Sequence, residues 1–157
     1  MKTCKAPCNE CAFRRDSKPG IGARGGAPAE VYVGQIHGPF RIPCHRHYPK
    51  NDSDQEWRNN DSTMFEIPQC AGSAVFRANL GRNNTVPKDM RLDPDRVTVF
   101  SSYAEFYAHH KSISLFEAER QLSVRPPATL LLEEMHRAGV KKRISDNPHD
   151  SPVYQEF

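Results

Sequence analysis

Cys8-Asn9-Glu10-Cys11, Pro43-Cys44-His45-Arg46-His47 and Gln69-Cys70-Ala71-Gly72 contain the residues of this chain whose types and spacing can do chemistry. Two cysteines separated by two residues can turn both sulfurs toward one ion, because the turn between them aims backbone amides back at the thiolates. Cys8 and Cys11 form such a pair. Cys44 follows a proline that stiffens its approach. Cys70 stands where a helix is expected to begin, and the free amides there favour an ionised sulfur, which is the ligating form. Zinc takes four ligands of this kind tetrahedrally, and a cubane iron–sulfur cluster also takes four thiolates. The expected metal ligands are therefore Cys8, Cys11, Cys44 and Cys70, with Zn2+ preferred and a [4Fe-4S] cluster as the alternative. Cys4, the remaining one of the five cysteines, reads as a spare thiol that could substitute as a ligand or resolve an oxidised sulfur.

His45 or His47 could replace a thiolate, giving a three-Cys, one-His zinc site, and His45 could otherwise orient a ligand from behind. In an extended segment side chains alternate faces, so His45 and His47 would both point away from the side that Cys44 uses. A turn directly after Cys44 would be needed to bring either ring to the same ion, and the plain reading of His47 is a solvent-exposed side chain. Four thiolates on zinc leave a net charge of about −2, which nearby guanidinium groups would offset. Arg14, Arg15, Arg41, Arg46 and Arg77 lie close to the cysteines in sequence. Of these, Arg14, Arg15, Arg46 and Arg77 are the expected contacts to a nucleic acid or to a nucleic-acid-handling protein.

The elements that must position these residues are short and polar. In 157 residues, 37% are hydrophobic and 13 are prolines, enough for one domain with a modest core that a metal would help to staple. The 22 Lys+Arg against 19 Asp+Glu give a net charge of +3, too small on its own to imply nucleic acid. The N-terminus has no apolar run like that of a signal peptide, and no stretch approaches the roughly 20 apolar residues of a membrane span. The chain thus reads as cytoplasmic, where five cysteines argue for metal or redox chemistry rather than disulfides.

The expected fold is α+β: a loop-rich, metal-stapled domain over residues 1–100, a helical extension over 101–139 packed on it, and a flexible tail over 140–157. Val31 to Ile36 reads as a short strand or a turn of helix, and residues 48–63 as a polar loop with Trp57 as its anchor. Cys70 to Leu80 has helical spacing and stops at Gly81. Ser102-x-x-Glu105 and Ser114-x-x-Glu117 both match the capping box, and Pro126-Pro127 opens a last helix. These place helices at about 102–111, 114–122 and 127–138. The last two superficially resemble a helix-turn-helix, but the turn register is off by one, and Glu133-Glu134 would face phosphates.

The order CxxCAFRRD, then PCH, then QCAG opening a helix, resembles a family of small uncharacterised bacterial and phage proteins. The resemblance covers about residues 8–80. It matches Cys8, Cys11, Phe13, Arg14, Cys44, His45 and Cys70 to the family's motif, with Ala12 departing from the Pro that often follows the CxxC pair. It implies a shared site, in the host-cell cytoplasm if the chain is phage-encoded, and no particular activity.

No Ser-His-Asp order, phosphate-cradling loop or HExxH motif stands out, and His109-His110 read as a helix face with one ring packed and the other exposed. The expectation is accordingly a metal-binding accessory or regulatory protein with a structural site rather than an enzyme. An iron–sulfur sensor or electron-transfer protein, and a metal-dependent enzyme, are the alternatives.

Overall fold

The computed structural model describes residues 3–20, 27–47, 66–82, 86, 88 and 95–137. The glycine-rich stretch at 21–26, the polar loop expected at 48–63 with Trp57, and the tail expected at 140–157 lie outside the described residues. Among the described residues five α-helices follow one another: α1 Ala29–His37, α2 Ala71–Asn79, α3 Tyr103–Lys111, α4 Leu115–Val124 and α5 Pro127–Arg137. Short 3-10 turns occur at His45–His47 and Asp95–Val97.

Among the described residues there is no sheet, and the expected α+β class is corrected to a helical one. Strand pairing among the described residues is limited to isolated bridges joining Thr3 to Gln69, Pro43 to Gln69, and Arg14 to Val99. The first two cannot grow into a ladder. Pro43 and Pro68 have no N–H to donate, and the chain enters α2 directly after Cys70. Val31 to Ile36 belongs to α1, where Ala29, Val33 and Ile36 are buried at i, i+4 and i+7. That helical period outweighs the β-branched composition of the stretch.

Ser102 and Ser114 cap their helices as expected, while the Glu105 and Glu117 carboxylates bond to other side chains. Ser102 Oγ accepts from the Glu105 amide and Ser114 Oγ from the Glu117 amide, each at 3.1 Å. Gly81, at φ +76°, ends the stretch that contains α2. The N-terminal segment and the C-terminal helices share one core. Phe13 stacks on Phe106 of α3 with centroids 5.4 Å apart, and meets Phe76 of α2 and Tyr32 of α1 edge-on at 5.7 and 5.9 Å. Helix α1 packs most extensively on α5. The crossing is close because Gly34 has no side chain: a Cβ there would sit 2.5 Å from the Leu130 carbonyl oxygen.

Candidate metal centre

Three chain segments converge to build the site. The Cys4 amide donates to the Gln69 carbonyl at 2.9 Å, the Cys44 amide to Pro68 at 2.8 Å, and the Cys70 amide to Ile42 at 2.8 Å. Gln69, with no exposed surface, lies between the other two strands of chain and fixes Cys4, Cys44 and Cys70 as neighbours. The Cys8–Cys11 turn is closed by the Cys11 amide on the Cys8 carbonyl at 3.1 Å, and the next turn by Arg14 on Cys11 at 3.1 Å.

Among the described residues, Cys4, Cys44 and His47 have donor atoms that all lie within 4.8 Å of one another, a group close enough to hold a metal ion. Two of its members, Cys4 and His47, stand in the sequence only as alternative ligands. His47 arrives because the chain does turn after Cys44: its amide donates to the Cys44 carbonyl at 3.0 Å, closing a 3-10 turn that carries the ring round to the sulfur side. His45 goes elsewhere, with Nε2 3.9 Å from Cys8 Sγ and 3.7 Å from Glu10. Cys4 joins because its segment pairs alongside Gln69, a long-range pairing that gives no signal in sequence spacing.

The other expected ligands are near but differently grouped. Cys11 Sγ and Cys70 Sγ are in contact at 3.7 Å, both buried, and Cys8 is partly exposed beside His45. Gly72 makes the first contact possible, since a Cβ at that position would stand 2.2 Å from Cys11 Sγ.

The thiols are unequal as ligands. Hydrogen bonding from Cys11 holds the Cys70 thiol below its ordinary range against the opposing effect of burial, helped by the Ser73 and Gly72 amides and the Ser73 hydroxyl at the start of α2. Cys11 is correspondingly raised, by its bond to Cys70 and then by burial. Burial and the neighbouring Cys44 push Cys4 up to about 12, and burial raises Cys44 despite the Arg46 amide. Cys8 and Cys70 add smaller electrostatic contributions to the shifts of both Cys4 and Cys44.

The arginines divide sharply. Arg14 is bound to Asp16 at 2.9 and 3.1 Å, and Arg15 pairs with Glu105 and reaches Ser101 Oγ at 3.0 Å. Arg46 lies 3.8 Å from Glu10 and is half exposed. Arg77 has no exposed surface, so no partner molecule can reach it. It donates instead to the carbonyls of Gln35, Ile36, Gly38 and Phe40, capping the end of α1 from within α2. Burial lowers its guanidinium to about 9, which still leaves it charged at neutral pH. Helix α3 grips the turn after the CxxC pair through its two histidines. His110 Nε2 lies 2.7 Å from the Ala12 carbonyl and His109 Nε2 2.7 Å from that of Ser17. His110 is buried as the helix-face reading anticipates, whereas His109, expected to be exposed, is half-buried against Phe100.

No helix among the described residues is long and apolar enough to cross a membrane. Compared with family models, curated proteins and solved structures, the chain matches none.

Proposed function

We propose that this is a metal-binding accessory protein, with zinc held by cysteine thiolates at the junction of three chain segments and with function carried by the surface that the centre shapes. The observation that carries the reading is the approach of Cys4, Cys44 and His47 to within 4.8 Å of one another. The Cys11–Cys70 contact supports zinc in particular. With Zn–S of about 2.3 Å, two thiolates on one tetrahedral ion stand about 3.8 Å apart, close to the 3.7 Å between these sulfurs. The polar composition supports a folding role, because a small core leaves room for metal binding to contribute folding free energy. The partner we propose is a nucleic acid or a nucleic-acid-handling protein, as the resemblance to phage-type proteins suggests. That part rests on less: the net charge of +3 and the exposure of Arg15 and Arg46, each of which is already beside a carboxylate.

The test is elemental analysis of protein purified without oxygen, alongside a Cys44→Ser variant. Zinc in whole-number ratio to protein, diminished by the substitution, is the expected result. Iron with matching sulfide would replace zinc by a cluster, and absence of any metal would overturn the reading. Binding to a random-sequence duplex at rising salt tests the partner: phosphate contacts predict a steep loss of affinity with salt, and no binding at low salt would eliminate nucleic acid.

A further inference from the structure

Cys4, Cys44 and His47 make three of the four ligands that a tetrahedral ion takes. Their donor atoms lie within 4.8 Å of one another, and among the described residues no other Cys, His, Asp or Glu donor comes that close to all three. We infer that the ion bound there has three protein ligands, and that its fourth position is exchangeable and takes the sulfur of a small-molecule thiol. This inference rests on the metal-binding reading above and names the ligand of its centre.

The three donors differ in exposure, and the difference orients the centre. Cys44 is buried, Cys4 is partly covered, and His47 is exposed. An ion among them is backed by protein at Cys44 and meets solvent beside His47. The 3-10 turn fixes this arrangement through the His47 amide bond to the Cys44 carbonyl at 3.0 Å. His45, in the same turn, is directed to Cys8 instead, with Nε2 3.9 Å from Sγ. Zinc centres closed by four protein ligands are structural, whereas three ligands and an open position admit water or an exogenous group. Charge and softness select that group. Two thiolates and a neutral imidazole cancel the double charge of zinc, so a water molecule on this ion is acidified less than on an ion held by neutral ligands alone. Zinc is borderline soft, and sulfur is already the main donor type here. The exchange balances: the incoming thiol gives its proton to solvent, its sulfur bonds to the ion, and one water molecule leaves.

Cobalt(II) in place of zinc makes the ligand set visible. The full chain, freed of metal and loaded without oxygen with one equivalent of cobalt, is titrated with 2-mercaptoethanol, and the spectrum of cobalt and thiol alone is subtracted. Near-ultraviolet charge transfer grows with the number of thiolates on the ion. The added thiol should raise it about 1.5-fold, from two thiolates to three. Cys8→Ser and Cys70→Ser remove the other thiols that act electrostatically on both Cys4 and Cys44. Both variants should keep the starting intensity and the response to thiol. A starting intensity of three or four thiolates, or no response to thiol, overturns the open position while leaving the metal-binding reading intact. A lower starting intensity in folded Cys8→Ser or Cys70→Ser does the same, by showing that a fourth cysteine closes the centre. No cobalt binding by the unaltered protein sinks both readings. The unaltered chain decides the matter even if a variant fails to fold.

Discussion

Replacing Gly72 with alanine sets two effects of known size against each other. Gly72 lies in the first turn of α2 and shows no left-handed backbone, so alanine fits the chain there. On helix propensity alone the substitution would stabilise by about 1 kcal/mol. The new Cβ, however, would stand 2.2 Å from Cys11 Sγ and 3.2 Å from Phe13 Cβ. Ordinary van der Waals contact is about 3.5–4.0 Å, so the sulfur must retreat by more than an ångström. Cys11 is 1% exposed and packed among Phe13, Phe76 and their neighbours, so it has no open side to swing into. Overpacking of that kind costs about 1–3 kcal/mol, and metal coordination tolerates displacements of only about 0.2 Å. The net expectation is a loss of about 0–2 kcal/mol in the metal-free protein, together with a marked fall in zinc affinity. Urea unfolding with and without a chelator, paired with competition against a chromophoric zinc chelator, measures both. A Gly72→Ala protein that gains stability and keeps full zinc affinity would refute the placement of Cys11 against α2.

Three further substitutions probe the frame around the site. Arg77→Met removes the donors to four carbonyls at the end of α1 and should cost about 2–4 kcal/mol, seen as a lowered urea midpoint; a change below 1 kcal/mol would contradict the buried cap. Gly34→Ala pushes a methyl into the Leu130 carbonyl and should cost about 1–3 kcal/mol, whereas a stabilised protein would mean that α1 and α5 do not cross there. Burial alone would raise the Glu30 carboxyl, but hydrogen bonds from Lys111, its own amide and Tyr107 outweigh it and hold the group below its ordinary 4.5. A depressed carboxyl stabilises above its unfolded value and loses that contribution as the pH falls through its folded one. The stability gap between the native protein and Glu30→Gln should accordingly be widest near neutrality and close as the pH drops below about 4.5; a gap that persists unchanged into strong acid would show that the ion pair with Lys111 is not its source.

What the sequence determined by itself is local. The helix caps at Ser102 and Ser114, the helix opening after Cys70 and the stop at Gly81 are decided by neighbours within four residues, and each appears close to where spacing puts it. The cysteines and His45 declared themselves as donors by type. Tertiary structure decided how those donors are shared. Prolines at 43 and 68 keep the cysteine segments to single bridges, and the β-branched stretch Val31 to Ile36 is helical, so no sheet forms among the described residues. Cys4 enters the site only because its segment lies beside Gln69, sixty-odd residues away along the chain. One 3-10 turn, which strand alternation does not anticipate, brings His47 to Cys44 and leaves His45 beside Cys8. Arg77 looks like a surface cation in sequence, yet α2 carries it into the interior, where the unpaired carbonyls ending α1 need its donors. Backbone hydrogen bonding between distant segments sets each of these outcomes, and residue spacing contains no record of which segments will meet.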